Sequence, residues 1–353
     1  MRGLSLPKLL FVEQQLIQRS GSLIDAAESI VITAHRSPDG DAVGSSLALW
    51  HYLKAKSKNA KVILPDGFAE FLAWMPGVDE ILLHSDSPNE VEEAIKEADL
   101  IFCLDYNDLS RTGDLAPLLE KRVGKCPFIL IDHHQHPDTF PEVLISDTSS
   151  CSTAQLIYEF IDALGDADMI NAQMGECVYT GIVTDSGSFR FPSVTPETHR
   201  IAASLIEKGV DHAAIHRRIY DTNLLDRLRL VGYALSEKLI VFPEYHTAYI
   251  SLSQEELTRF NYRPGDTEGL VNQALSIKGI NMACFIREGN NKVKMSFRSK
   301  GPFKVNEVAA KHFNGGGHHN AAGGVSDLSL QSVIDKFVAM LPEYQNDLNY
   351  DVS

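Results

Sequence analysis

A histidine and two aspartates follow an apolar run near the start of the chain. The segment SIVITAHRSPDGDAVGSS, residues 29–46, ends its apolar part at Ala34 and then presents His35, Asp39 and Asp41. Imidazole nitrogens and carboxylate oxygens are groups with which proteins bind divalent cations. The segment is therefore a candidate cation site placed directly after a buried strand.

Two further apolar runs end in groups of the same kind. Asp105 follows LIFCL, and Asp132, His133 and His134 follow PFILI. Taken alone, an aspartate after a strand commonly caps a helix or forms a turn, and that ordinary interpretation is open for each of them. Taken together, so many acidic and imidazole groups at three strand ends would repel one another and resist desolvation unless cations lay among them. The joint pattern favours a metal centre.

Asp185 is a fourth candidate, in the segment YTGIVTDSGSFRF. An apolar run with helical period over residues 173–183 delivers it into a turn rich in serine and glycine. Asp185 fits a metal ligand. It fits equally a local turn acceptor where the helix ends at Gly187, and the spacing does not decide between the two.

Parallel strands are the elements that would bring these groups together. The first half of the chain alternates short apolar runs with helical patterns, which is typical of an α/β fold with helices on the faces of a parallel sheet. The predicted strands are SIVITA, KVIL, EILLH, LIFCL and PFILI, and the predicted helices cover residues 42–56, 88–98 and 114–122. Ligands of open parallel sheets bind beyond the carboxyl ends of the strands, so the groups converge if their strands are neighbours.

The rest of the chain predicts a second, smaller α/β domain. The apolar residues of 152–237 recur with a helical period. The last part of this region, roughly 213–238, is predicted to be a helical connector between the two domains. Beyond it, HTAYISL and KVKMSFRS are predicted strands, and EGLVNQALSI and LQSVIDKFVAM are predicted helices. We expect residues 1–220 to form the first domain, 221–240 a helical linker and 241–345 the second domain.

Composition and charge exclude some classes of protein. The net charge is −15, and an acidic chain is unsuited to general binding of duplex DNA, which needs a basic surface. No apolar stretch approaches the ~20 residues that span a bilayer, and the first 22 residues are typical of an amphipathic helix rather than a signal peptide. The five cysteines are scattered without a C-x-x-C pair, which is typical of free thiols in a reducing compartment. We expect a cytoplasmic protein with no membrane partner.

These motifs resemble those of one known family, the DHH phosphoesterases. HRSPDGDAVGS is similar to the family's first motif, H-x-x-x-D-x-D, while CLDYND, DHH and TGIVTDSGSF are similar to the second, third and fourth. Near the C-terminus, FNGGGHHNAAGG resembles the G-G-G-H signature of the family's DHHA1 substrate-binding domain. The matches occur in the family's order and cover both predicted domains.

The resemblance implies two divalent cations, most simply Mn²⁺ with Mg²⁺ or Co²⁺ as substitutes, because mixed carboxylate and imidazole ligands suit Mn²⁺. By resemblance, one ion is held by His35, Asp39 and Asp105, and the other by Asp41, Asp105, His133 and Asp185. Asp132 and His134 are the implied catalytic residues. We expect Asp132 to orient His133, and His134 to donate to a phosphoryl oxygen or to protonate the leaving group.

The second domain would supply the substrate contacts. The strand KVKMSFRSK places its basic residues and Ser296 on one face and its apolar residues on the other. A solvated edge that discourages strand pairing explains this alternation as well. The consecutive glycines Gly315, Gly316 and Gly317 are costly to order and make sense where backbone N–H groups approach a phosphate. With the resemblance, we expect these glycines, Arg298 and His318 to bind the nucleotide end of the substrate.

The implied activity is hydrolysis of short oligoribonucleotides (nanoRNA), of 3′-phosphoadenosine 5′-phosphate (pAp), or of both, by water activated between two metal ions. The resemblance is to the oligoribonuclease and pAp-phosphatase branch of the family. Expected partners are short single-stranded oligoribonucleotides or mononucleotide bisphosphates, and a second copy of the chain in a homodimer. The alternatives are a pApA or cyclic-di-AMP phosphodiesterase, and an inorganic pyrophosphatase or exopolyphosphatase. A non-catalytic binder is disfavoured because none of the six implied ligands is missing.

Overall fold

The protein divides into two compact units. The computed structural model describes residues 11–289 and 292–351 of the 353. The first unit extends to Thr222 and the second begins at Asn223. The predicted limits of the domains and linker, residues 1–220, 221–240 and 241–345, stay predictions.

Six parallel strands form the sheet of the first unit. They are β1 (Ser29–Thr33), β2 (Asn59–Leu64), β3 (Leu82–Leu83), β4 (Leu100–Leu104), β5 (Phe128–Asp132) and β6 (Val143–Ser146). Their order is β3-β2-β1-β4-β5-β6, so the direction of winding reverses between β1 and β4. Every residue of β4 and β5 is buried, as expected for central strands with helices on both faces. The predicted parallel α/β fold is confirmed.

Helices cover both faces of this sheet. They are α1 (Phe11–Ala26), α2 (Gly40–Ala55), α3 (Pro88–Glu97), α4 (Ala116–Glu120), α5 (Thr153–Ala163), α6 (Ala172–Asp185), α7 (Pro196–Glu207) and α8 (His212–Tyr220). One core contains α1, α2 and α5 to α8, and the other contains α3 and α4, because alternate strand residues point to opposite faces. Of the predicted N-terminal amphipathic helix, the part before Phe11 lies outside the described residues.

Two close contacts between helices depend on glycine. A Cβ atom at Gly44 in α2 would lie 2.6 Å from the carbonyl oxygen of Cys177 in α6. A Cβ at Gly181 in α6 would lie 2.4 Å from Cβ of Ala154 in α5 and 2.8 Å from Oδ1 of Asp41. Only glycine lets α2, α5 and α6 approach this closely, since any side chain would displace one of the helices.

Several boundaries differ from those predicted. The run EILLH forms only the two-residue strand β3, after a short 3₁₀ turn over Val78–Glu80. The helix predicted over residues 114–122 is shortened to α4, because a 3₁₀ segment over Leu109–Leu115 precedes it and Gly113 breaks that segment with a φ of 59°. Within the region predicted as a helical connector, residues 221–224 separate α8 from the next helix. Strand β6 was not predicted.

The second unit is a mixed sheet with helices on both faces. Its strands are β7 (Leu239–Phe242), β8 (Thr247–Leu252), β9 (Met282–Gly289), β10 (Lys292–Ser299), β11 (Gly316–His318) and β12 (Ala321–Ser326), in the order β11-β12-β10-β9-β8-β7. Its helices are α9 (Leu225–Glu237), α10 (Gln254–Arg259), α11 (Leu270–Leu275), α12 (Val305–Phe313) and α13 (Leu330–Met340). Strands β8 and β9 are parallel and the other pairs are antiparallel. The predicted smaller α/β domain is confirmed.

Among the described residues, no helix has both the length and the apolar character that crossing a membrane requires.

Candidate metal centre

The candidate ligands meet at the carboxyl edge of the first sheet. Strands β1, β4 and β5 are direct neighbours, so the residues that follow them share one edge. His35 comes two residues after β1, Asp105 immediately after β4 and His133 immediately after β5. The sequence predicted that these groups converge if their strands are neighbours, and the strands are neighbours.

The first predicted ligand set comes together. Ligand atoms of His35, Asp39 and Asp105 all lie within 4.8 Å of one another. Nε2 of His35 is 3.3 Å from Oδ2 of Asp105 and 4.0 Å from Oδ1 of Asp39. Nδ1 of the same ring is 2.9 Å from the carbonyl oxygen of Arg36, which fixes the orientation of the imidazole and turns Nε2 toward the carboxylates.

Asp39 also has the ordinary role that sequence reasoning allowed. It is the N-cap of α2, and its Oδ1 accepts the backbone N–H groups of Asp41 at 3.0 Å and Ala42 at 3.1 Å. Its side chain is 53% exposed, whereas that of Asp41 is 1% exposed. Asp39 therefore fixes the start of the helix that carries Asp41, whether or not it also binds an ion.

A second cluster contains Asp41, His133 and Asp185, whose ligand atoms lie within 4.8 Å of one another. Nε2 of His133 is 3.5 Å from Oδ2 of Asp185 and 4.0 Å from Oδ2 of Asp41. Asp185 is the last residue of α6, and its carboxylate reaches the edge of the sheet. This placement supports the ligand interpretation that the spacing alone did not decide.

Asp105 lies between these two clusters. Its Oδ2 faces His35, while its Oδ1 is 3.5 Å from Nε2 of His133 and accepts the hydroxyl of Thr153 at 3.0 Å. The backbone has a φ of 61° at this residue, in the left-handed region that aspartate tolerates better than most residues. The sharp turn directly after β4 therefore aims each carboxylate oxygen at a different histidine.

The structure corrects the expected partner of Asp132. We expected Asp132 to orient His133, but its carboxylate holds His134 instead. Oδ1 accepts from Nδ1 of His134 at 2.6 Å, and Oδ2 accepts the backbone N–H of the same residue at 3.0 Å. Nδ1 of His133 lies 3.3 Å from the carbonyl oxygen of Ser150. The order of residues could not show which histidine pairs with Asp132, because that depends on the side-chain torsions of two adjacent imidazoles.

Electrostatics show an excess of negative charge. Burial, with the charges of Asp105 and Asp185, raises the pKa of Asp41 well above its usual range. Burial likewise raises the pKa of Asp185 to about 7, against the attraction of His133. Burial opposes the cation of His35, but its hydrogen bond to Asp105 and the charge of that carboxylate raise the pKa of His35 to about 9.

Asp105 behaves oppositely to the other carboxylates. Burial favours its neutral form, but the hydrogen bond and charge of His35 outweigh burial and lower the pKa of Asp105. Protons therefore partly balance the buried carboxylates. Divalent cations would balance them more completely, and carboxylate oxygens mixed with imidazole nitrogens are a donor set that can hold an ion such as Mn²⁺. The residues present fit such ions.

Sequence reasoning missed the N-terminus of α5. The backbone N–H groups of Thr153 and Ala154 donate to Oδ2 and Oδ1 of Asp41 at 2.6 and 2.8 Å. Ser152, the N-cap, and Gln155 form an S-x-x-Q pattern that marks a helix start. The helical period from residue 152 had indicated a helix here, but the unpredicted strand β6 is what carries its first residues to the edge of the sheet.

The predicted substrate contacts lie in the second unit. Arg298 of β10 and His318 of β11 are both directly opposite Ala321 of β12. Directly opposed residues of antiparallel strands point to the same face, so Arg298, Ala321 and His318 form one row. In the adjacent row, Ser296, Gly323 and Gly316 are opposed in the same way. The basic side chains therefore flank a strip of small residues.

Two of the three consecutive glycines have a structural reason that was not expected. A Cβ at Gly315 would lie 2.0 Å from the carbonyl oxygen of Gly323, and a Cβ at Gly317 would lie 2.5 Å from that of Ala321. Gly317 also has a φ of 143°. Pairing with β12 thus explains both residues. Only Gly316 has open space where its side chain would be, so the argument from phosphate approach applies to that residue alone.

Comparison with known proteins agrees with the motifs. The model of the DHH family, N-terminal domain, matches residues 29–182, and the DHHA1 domain matches residues 244–347. A bifunctional oligoribonuclease and PAP phosphatase of Thermus thermophilus is 32% identical over 89% of this chain and 89% of its own length. The protein of the same name from Bacillus subtilis is 27% identical over 85% of this chain and 90% of its own.

A solved structure matches across both units. It is an exopolyphosphatase-related protein from Bacteroides fragilis, 40% identical to this chain, with a TM-score of 0.92 over 96% of this chain and 98% of that one. The likeness thus extends over the first sheet, which carries the candidate ligands, and over the second, which carries Arg298 and His318.

Proposed function

This chain belongs to the DHH family, and on that premise we propose that it hydrolyses short oligoribonucleotides and pAp. Membership makes it a phosphoester hydrolase, and two relatives that align with this chain over about nine-tenths of their own length are named for these two activities. The observation that carries the proposal is Asp105, whose two carboxylate oxygens face His35 and His133 from the middle of the ligand cluster.

We assign the candidate ligands to two divalent cations, with Mn²⁺ as the proposed metal. One would be held by His35, Asp39 and Asp105, and the other by Asp41, Asp105, His133 and Asp185. When bound, the ions would offset negative charge on the phosphoryl group and lower the pKa of the attacking water. The chain's own contribution is to hold acidic groups of like charge close together at one buried edge.

His134 is the proposed proton donor. Because Nδ1 donates to the buried carboxylate of Asp132, the proton on that nitrogen is fixed and the ring cannot rotate. Nε2, on the far side of the ring, is the atom we assign to a phosphoryl oxygen or to the oxygen of the leaving group. For this role the ring would carry a proton on Nε2 as well as on Nδ1.

The second unit supports recognition of the nucleotide end. Arg298 and His318 stand in one row, separated by the small side chain of Ala321, at a distance of about two strand spacings or ~10 Å. An arginine fork is suited to a phosphate, and the strip of small residues leaves room for a flat group. We keep Arg298, Gly316 and His318 as substrate contacts in this proposal, with Gly315 and Gly317 in a supporting role.

The cytoplasm is the proposed location, and the free, buried state of all five cysteines suits a reducing compartment. A homodimer completes the proposal and is measurable by light scattering.

A substrate panel with purified enzyme and Mn²⁺ tests the function. The panel contains pAp, pApA, di- to pentaribonucleotides, cyclic-di-AMP and pyrophosphate. We expect pAp and the short oligoribonucleotides to have the highest kcat/KM. Preferential turnover of pyrophosphate, or of cyclic-di-AMP alone, would replace this proposal with one of the two alternatives.

A further inference from the structure

The first turn of α5 contacts both central acidic residues of the site. Two consecutive backbone N–H groups, those of Thr153 and Ala154, each donate to a different oxygen of Asp41. The hydroxyl of Thr153 donates to Oδ1 of Asp105 at 3.0 Å. Thr153 is therefore one residue that holds two carboxylates from two different strand–helix junctions.

These contacts are fully shielded from water. Thr153 and its N-cap Ser152 are completely buried, while Asp41 is 1% and Asp105 2% exposed. Ser152 accepts the N–H of Gln155 at 3.0 Å, so it fixes the start of the helix without competing for Asp41. Hydrogen bonds of this kind to a buried carboxylate limit its rotation, because no water is available to replace them.

The arrangement leaves room for a cation on each carboxylate. An ionised carboxylate has about four lone-pair directions on its two oxygens. The helix takes one direction on each oxygen of Asp41, and Thr153 takes one on Oδ1 of Asp105. The same two carboxylates also lie close to the imidazoles of the site: Asp105 is 3.3 Å from Nε2 of His35 and 3.5 Å from that of His133, and Asp41 is 4.0 Å from Nε2 of His133.

We propose that Thr153 is a positioning residue of the metal centre, which holds Asp105 through its hydroxyl and Asp41 through its N–H in the orientation that binds divalent cations. This inference rests on the proposed function in assuming a metal centre, but not on the identity of the substrate. The mechanism is orientation by a group behind the ligands, and loss of such a group typically weakens metal affinity about 10- to 100-fold.

Thr153→Val is the test, because valine has nearly the same shape and lacks only the hydroxyl. Thr153→Ser restores the donor. Thr180→Val is a matched control, since Thr180 is equally buried and its hydroxyl donates to the carbonyl oxygen of Glu176 within α6. Free Mn²⁺ is measured by EPR during titration of each metal-free full-length variant, and Tm is measured without metal.

We expect Thr153→Val to raise the Kd for Mn²⁺ by about tenfold or more, Thr153→Ser to stay within about twofold of wild type, and Thr180→Val to leave the Kd unchanged at a similar loss of Tm. A Thr153→Val protein that binds Mn²⁺ like wild type would overturn the inference, as would a failure of serine to restore binding, or a wild-type protein that binds no Mn²⁺. If the variants behave as expected while no nucleotide of the panel is hydrolysed, the positioning role stands and the proposed substrate fails.

Discussion

The carboxylate of Asp132 accepts two hydrogen bonds from His134. Its Oδ1 accepts from Nδ1 of the ring at 2.6 Å and its Oδ2 accepts the backbone N–H of His134 at 3.0 Å, while the carboxylate itself is fully buried. In geometry the pair resembles a catalytic histidine and the carboxylate that orients it, because one contact fixes the ring's rotation and the other fixes the chain that carries it.

Asp132→Asn should slow turnover more than it weakens substrate binding. The amide has no negative charge to accept the Nδ1 proton of His134, and its NH₂ group can donate to that nitrogen, so the ring would adopt the other tautomer. We expect kcat to fall about 10- to 100-fold with little change in KM. Steady-state kinetics with pAp measure this, with Asp166→Asn as a control because Asp166 pairs with Tyr52 and Lys56 away from the site. Equal losses in the two variants would argue against a specific role.

Asp105→Asn should remove both metal binding and turnover without unfolding the protein. Asparagine tolerates the positive φ of 61° at this position, whereas alanine would add backbone strain, so the amide isolates the loss of charge. We expect no measurable hydrolysis and a loss of Mn²⁺ binding, with an unchanged circular dichroism spectrum. Asp105→Ala should also abolish turnover. A variant that keeps a near-native rate in purified Mn²⁺ would refute the assignment of Asp105 as the shared ligand.

Gly181→Ala should destabilise the first unit and disturb the ligand cluster at the same time. The added methyl group would lie 2.4 Å from Cβ of Ala154 and 2.8 Å from Oδ1 of Asp41, so α5 or α6 must shift. Overpacking of this kind costs about 1–3 kcal/mol of unfolding free energy. Gly232→Ala in α9 is the matched control, since its methyl group meets no atom within 4 Å and should stabilise by roughly 0.5 kcal/mol. Thermal unfolding and Mn²⁺ titration of both variants check this, and a Gly181→Ala protein as stable as Gly232→Ala would contradict it.

Most of the ligand cluster was predictable because the apolar runs in the sequence show where the buried strands end. The runs before His35, Asp105 and His133 are buried strands, and the groups that follow them lie at one edge. What the pattern could not supply was the spatial order of the strands, since adjacency of β1, β4 and β5 depends on crossovers far apart in sequence. The family motifs supplied this information, because family members with the same motifs in the same order are expected to share the order of strands in the sheet.

The contacts that were missed or wrong depend on distant residues or on torsions. Thr153 meets Asp41 across 112 positions in sequence, through a strand too short to be recognised. Asp132 could have oriented either neighbouring histidine, and only the side-chain torsions decide. The glycines at 315 and 317 indicated a close backbone approach correctly, and the paired strand β12 is one group that approaches them; their contact with a phosphate stays a prediction.

Glu159→Gln should stabilise the protein at alkaline pH. Burial raises the pKa of Glu159 to about 7 from an ordinary value of 4.5, despite a hydrogen bond from Gln155. Since the folded pKa is the higher one, the folded state binds the proton more tightly, and the stability contributed by this group is lost as pH rises through 7. Glutamine mimics the protonated form, so the variant should exceed wild type by about 3 kcal/mol at pH 8, and the difference should disappear as pH falls below 4.5. Urea denaturation across this range measures the difference, and Glu207→Gln on the exposed side of α7 should show none.

Arg298→Ala should separate recognition of nucleotides from the chemical step. Arg298 stands in the row with His318, at the end of β10, and its proposed partner is a phosphate at the nucleotide end of the substrate. A truncated arginine loses a charge-assisted contact, so we expect KM for pAp to rise about tenfold while KM for a simple aryl phosphate ester changes little. Lys294→Ala is the matched control, because Lys294 lies on the same face of β10 but about 13 Å farther along the strand and opposite Arg287. If Arg298→Ala raises both KM values equally, the arginine does not contact the nucleotide end. If Lys294→Ala has the same effect, the strand contributes only its general positive charge.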